Sequence, residues 1–181
     1  MPFYGGDKKT KENTVSGVNQ GEEGNCYIVA PVAAFSLTAD PTKSAEEVAK
    51  AVGIGMGGTS NRAFREMGLY AFNKNQSYQT KWRELITKSV EGNYPACLGI
   101  SWESVKSKKT GNHVVYVIGF EGTTVYARDQ QNKHVLISID MKKPWRSAQF
   151  TVGKSISRTC TLSWVGIGCP TRKDASDLLT K

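Results

Sequence analysis

The sequence predicts an α+β fold, with helices in its first half and antiparallel strands in its second. Three observations predict it. Between residues 25 and 90 apolar side chains recur at three- and four-residue spacing, the period of helices that bury one face. Between residues 94 and 167 lie six short runs rich in β-branched and aromatic residues, several alternating polar with apolar. The helical patterns precede the strands rather than alternating with them, which argues for antiparallel pairing and against a parallel α/β sheet. The chain has no internal repeats. At 181 residues it suits one domain large enough to bury a core. We place that domain at 19–172, after a polar, flexible N-terminal arm (1–18) and before a C-terminal tail (173–181).

In chain order, NCYIVAPVAAFSL (Asn25–Leu37) reads as a largely buried helix, with Asn25 as N-cap and Pro31 as an awkward interior residue. SAEEVAKAV (Ser44–Val52) is a short helix with Ser44 and Glu47 forming a capping box. The GIGMGG run at 53–58 fits neither phosphate-loop spacing and is a loop. Asn61–Phe72 and Tyr78–Val90 follow as amphipathic helices. The predicted strands are Tyr94–Trp102, His113–Phe120, Thr123–Ala127, His134–Met141, Gln149–Val152 and Thr159–Ile167, with a tight hairpin at EGTT (121–124).

Composition excludes several classes. No apolar run is long enough to span a bilayer, and MPFYGGDKKTKEN lacks the apolar core of a secretory signal. The expectation is a soluble chain, cytoplasmic or secreted by a leaderless route. Its net charge of +8 comes from 24 Lys and Arg against 16 Asp and Glu, scattered without an aromatic stripe. That pattern serves solubility and predicts no specific nucleic-acid partner. Cys26, Cys97, Cys160 and Cys169 show no C-x-x-C spacing, and with two histidines in the chain no metal site or cofactor is expected.

Four residues are candidates for chemistry. Cys26 falls at a helix start, where backbone amides and the helix dipole favour an anion, after the turn-like NQGEEGN. Gln20, six residues earlier, carries an amide able to donate to an oxyanion. His113 opens the strand HVVYVIGF and can act as general base. His134 also opens a strand, and position alone does not separate the two. Asp129 is placed to orient an imidazole from the next strand, with Asn132 as the second choice.

NQGEEGNCYIVAPVAAF resembles the nucleophile segment of papain-like cysteine peptidases, and GNHVVYVIGFEGTTVYARDQQN resembles the histidine hairpin of that superfamily. The pair is most similar to the leader-peptide peptidases of bacteriocin-exporting transporters. The match covers about forty residues. It implies a papain-like fold with Cys26 as nucleophile, His113 as base, Asp129 as orienter and Gln20 in the oxyanion hole. Two departures are Tyr27, where tryptophan is common, and Gln130, where the exporter peptidases usually carry proline. The D-Q-Q-N run also resembles papain-fold glutamine deamidases among bacterial toxins and effectors. The resemblance therefore implies a thiol hydrolase acting on a peptide bond of a protein or peptide substrate, in the setting of a bacterial effector or toxin with an inhibitory immunity protein as partner. Its alternatives are a protein-glutamine deamidase and, in a different class, a catalytically inactive binding module.

Overall fold

The structure, a computed structural model, describes residues 2–20, 25–40, 43–53, 58–104, 106–142, 148–152 and 156–180, with side chains described outside 148–159. Helix α1 (Cys26–Ser36) has every residue from Tyr27 to Ala34 buried. A helix apolar all round is stable only when enclosed by other layers. Pro31 lies inside it and removes one backbone donor, yet the helix continues because its surroundings hold it. Asn25 occupies the cap position but makes no side-chain cap hydrogen bond. Its backbone carbonyl accepts from Ile28 and Val29 instead.

Helix α2 (Ala45–Val52) starts with the expected box: Ser44 Oγ accepts from the Glu47 amide at 3.2 Å, and Glu47 reaches back to the Ser44 amide. Helix α3 (Asn61–Glu66) is shorter than the periodicity predicts. Gly68, at φ +86°, closes it, with Leu69 N–H donating to Phe64 O and Gly68 N–H donating to Arg65 O. The chain then leaves as strand β1 (Tyr70–Asn75), which corrects the expected helix over 61–72. Residues 76–81 form a 3-10 turn before α4 (Trp82–Glu91) begins, so the expected helix from Tyr78 is helical in α form only from Trp82. Of the GIGMGG run, residues 54–57 lie outside the described residues.

Six strands complete the sheet: β2 (Ala96–Ser104), β3 (Thr110–Glu121), β4 (Thr124–Asp129), β5 (Val135–Asp140), β6 (Ala148–Val152) and β7 (Ile156–Cys169). The seven-stranded sheet is antiparallel, in the order β1-β7-β2-β3-β4-β5, with β6 paired to β7. Helices cover both faces. Ile28, Val32 and Phe64 of α1 and α3 pack with Cys97, Val114, Tyr116 and Ile118. Trp82, Leu85 and Ile86 of α4 pack on the other face with Leu98, Val115, Val117 and Ile167. Alternation along β3 sends Val114, Tyr116 and Ile118 to one layer and Val115 and Val117 to the other. The molecule is therefore α+β, as the order of patterns predicts. Among the described residues no helix is long and apolar enough to cross a membrane.

The two terminal segments differ from expectation. Residues 2–18 are anchored on the domain at Phe3, Tyr4, Thr14 and Ser16 rather than standing off as an arm. Phe3 and Tyr4 are 3% and 1% exposed, and Tyr4 Oη donates to Tyr94 O at 2.6 Å. Phe3 bridges to Gly119, where an added Cβ would sit 2.3 Å from the Phe3 ring, so only glycine admits this approach. Arg128 fastens the same segment by donating to the carbonyls of Lys11, Glu12 and Thr14, while another of its nitrogens donates to His134 O. Isolated aromatics in a polar run carry no periodicity, which is why the composition reads as an arm. At the other end, the expected tail is largely helix α5 (Arg172–Thr180), with Ala175 buried and Leu178 and Leu179 against the core.

Truncating Phe3 to alanine opens a cavity under Gly119. It is expected to cost about 3 kcal/mol of stability, read as a lower urea midpoint with unchanged slope; a loss below about 0.5 kcal/mol would mean the segment is not part of the cooperative core.

Candidate active site

Cys26 is the first residue of α1, a position whose backbone amide has no carbonyl within the helix to bond. The helix is anchored by its buried length, so the half-buried thiol is held at a rigid N-terminus, facing a cleft of about 560 Å³. His113 on β3, Ile100 on β2, and Ser163 and Trp164 on β7 form the opposite wall. Trp164 lies over Gly99, where a Cβ would come within 2.1 Å of the indole; glycine there lets the ring lie against the sheet. A second hollow of about 390 Å³ shares Ser101 and Asn112 with the cleft and extends past Trp102, so the depression continues along the sheet.

A bulge brings His113 and Asp129 together. Strand β4 opposes β3 with Phe120 on Val125 and Gly119 on Tyr126, then slips so that Val117 faces Ala127 and Tyr116 faces Arg128. Ile118 is the extra residue. Without it Asp129 would stand opposite Tyr116, on the face away from His113, because a slip of one residue reverses the side-chain direction. Continuing the observed register places Asp129 across from Val115, two residues from His113 and on its face. A side chain spans that diagonal. His113 Nε2 and Asp129 Oδ1 are 2.8 Å apart, with the histidine 8% exposed and the aspartate fully buried. The Gln131 backbone N–H donates to the same oxygen at 3.0 Å, holding the carboxylate in place.

With Nε2 committed to Asp129, the other ring nitrogen, Nδ1, is the one left to make the ring's hydrogen bond with Cys26. Burial pulls the His113 ring toward neutrality. The hydrogen bonds to Asp129 and Cys26, with the charges behind them, outweigh it and lift the ring from 6.5 to about 9. At neutral pH the ring then carries a proton on each nitrogen, one held by Asp129 and the other turned to the cleft. Because the folded value is raised, this imidazolium stabilises the fold fully below about pH 6.5. That contribution is lost as pH rises through about 9.

His134, indistinguishable from His113 by strand position, is tied elsewhere. Its Nδ1 lies 2.6 Å from Tyr116 Oη and its Nε2 lies 2.7 Å from Asn19 Oδ1. Burial and the nearby Arg128 charge hold its ring below 6.5. Asn132 donates its backbone N–H to Asp129 O at 3.2 Å, and it is Asp129 whose side chain meets the histidine.

Gln20 is 7% exposed and joins the hairpin through Gln130. Its backbone N–H donates to Gln130 O at 3.0 Å, and its Oε1 accepts from Gln130 Nε2 at 2.9 Å. Gln130 enters the sequence reading only as a departure from proline and as part of the D-Q-Q-N run, and is missed there as the partner of Gln20. The cleft-wall residues Ser163 and Trp164 carry no local signal either, since they come from a strand fifty residues beyond His113 in the chain.

The other thiols are unlike Cys26. Burial, then the Cys26 charge, raises Cys97 well above its ordinary range, and burial with Asp174 raises Cys169 to about 12. Cys160 is buried too. Cys160 and Cys169 share strand β7, where nine residues span roughly 30 Å, far beyond disulfide reach. All four cysteines are free. Among the described residues no three His, Cys, Asp or Glu side chains cluster as metal ligands.

No protein-family model matches the chain, and no curated protein sequence is similar enough to count as a relative.

Iodoacetamide at pH 7 is expected to label Cys26 first, with Cys97, Cys160 and Cys169 protected until the protein unfolds; equal rates for all four would contradict the site. NMR titration should find the His113 ring with a midpoint near 9, and Asp129→Asn should bring it down toward 6.5. An unmoved midpoint in that variant would show that the carboxylate is not what holds the proton.

Proposed function

We propose that this chain is a papain-like thiol hydrolase that cleaves amide bonds of a peptide or protein through Cys26, His113, Asp129 and Gln20. One observation carries the reading: a thiol at the N-terminus of an enclosed helix meets, across an open cleft, a histidine whose far nitrogen is held by a buried aspartate. The chain order, with a glutamine six residues before the cysteine and the histidine and aspartate on one later hairpin, supports it further.

The chemistry follows from those positions. Cys26 sulfur bonds to the carbonyl carbon, and the carbonyl electron pair moves to oxygen. The Cys26 backbone amide and the Gln20 side-chain amide are the donors assigned to that oxyanion. Collapse of the tetrahedral species breaks the carbon–nitrogen bond as His113 Nδ1 gives its proton to the leaving amine. An acyl-thioester remains on Cys26. Water then attacks it, with His113 taking the proton, and the acid leaves as the thiol is restored. Asp129 keeps the ring from turning and stabilises its charge throughout.

The same cycle on a side-chain amide releases ammonia and converts glutamine to glutamate. Incubation with cell protein followed by mass spectrometry separates the two substrates. New peptide termini are the expected result. A shift of about one dalton at glutamine, without fragments, would make the chain a deamidase. Cys26→Ala and His113→Ala should each abolish the change by at least a hundredfold; full activity in either would overturn the proposed mechanism.

A further inference from the structure

The hydrogen bonds around Gln130 point to a role for a residue that hydrogen-bonds to neither the thiol nor the ring. We infer that Gln130 is a positioning residue that turns the Gln20 amide so that its N–H₂ end serves the oxyanion. The inference rests on the assignment of Gln20 as oxyanion donor.

Gln130 is 1% exposed and follows Asp129 directly. Its Nε2 donates twice, to Val114 O at 2.7 Å and to Gln20 Oε1 at 2.9 Å. Val114 is the residue after His113 and lines the cleft. The Val114 backbone carbonyl fixes which way the Gln130 amide points, since turning it over would set oxygen against oxygen. The Gln20 amide is fixed in consequence. Its oxygen must face Gln130, so its nitrogen is the end directed elsewhere. A backbone hydrogen bond from Gln20 N–H to Gln130 O keeps the two residues in register.

The burial of Gln130 is not free of cost. Its Oε1 is enclosed with no hydrogen-bond partner among the described residues. An orphaned buried acceptor destabilises a fold by about 1–3 kcal/mol. A purely structural filler would avoid that cost with an apolar side chain of equal length, whereas a residue needed for its two donors cannot. An amide free to rotate would present oxygen to the oxyanion about as readily as nitrogen, replacing attraction by repulsion. By setting the tether between residues adjacent to His113 and Asp129, the fold aligns the donor with the same hairpin that carries the base.

Two probes of Cys26 separate this role from structural damage. p-Nitrophenyl acetate acylates a thiol through an oxyanion: sulfur bonds to the carbonyl carbon, oxygen takes the electron pair, and p-nitrophenolate leaves. Iodoacetamide alkylates by displacement of iodide and forms no oxyanion. Gln130→Met, equal in length and without a donor, is expected to slow acylation on the order of tenfold, part of what a lost oxyanion donor costs, with alkylation and the His113 titration unchanged. Gln130→Asn, a shorter donor, should slow acylation less, and its effect is read even if the methionine variant does not fold. In a Gln20→Ala background neither substitution should slow acylation further, because a residue acting through Gln20 has nothing left to position. Unchanged acylation in both variants, or an equal slowing that persists without Gln20, would overturn the assignment. Slow alkylation and acylation of Cys26 in the unaltered protein would instead overturn the thiol-hydrolase reading.

Discussion

The contact between His113 Nε2 and Asp129 Oδ1 organises the cleft, and it depends on a single extra residue in β3. Ile118 slips the β3–β4 register by one, and that slip carries the carboxylate to the histidine's face. Burial of the pair makes their attraction strong enough to keep the ring charged despite desolvation. The ring then has one nitrogen committed and one directed at Cys26. Strand order, hairpin and bulge thus converge on one proton position, and the proposed chemistry needs no other group to hold it.

The thiol side of the cleft is fixed by a different means. Helix α1 makes little use of caps: Asn25 supplies only its carbonyl, and Pro31 removes an interior donor. Enclosure compensates, because Tyr27 to Ala34 are all buried between the sheet and helices α2 and α3. A helix held by its flanks rather than its ends keeps its first residue in place while leaving that end open to the cleft. Gln20 is held by a third route, through the N-terminal segment that Arg128 clamps and through Gln130.

What was legible in the sequence was local. The capping box at Ser44 and Glu47, the apolar helix after Asn25 and the six strand runs are each written in adjacent residues. The chemical residues were legible as an order along the chain, but His113 and His134 were equivalent there. Their ring partners distinguish them, and those partners, Asp129 for one and Tyr116 with Asn19 for the other, arise from pairing across strands. Strand β1 was hidden for a similar reason. Tyr70 to Phe72 continue a helical pattern, and only pairing with β7 overrides it. The bulge has no local mark at all, since residues 113–120 are apolar almost throughout. Phe3 and Tyr4 were concealed by the polar residues after them, and the tie of Gln130 to Gln20 by their separation of 110 residues.

The clamp made by Arg128 has a consequence for how the protein comes into being. Synthesis makes Lys11, Glu12 and Thr14 more than a hundred residues before Arg128. Until that guanidinium emerges, nothing ties the carbonyls of Lys11, Glu12 and Thr14 to the sheet. The thiol is likewise made long before His113 and Asp129. A nascent chain, or one broken off before residue 130, therefore carries Cys26 without the partners that surround it in the finished fold. On the proposed reading, hydrolytic power is withheld during translation and arrives only when the hairpin closes on the earlier segment.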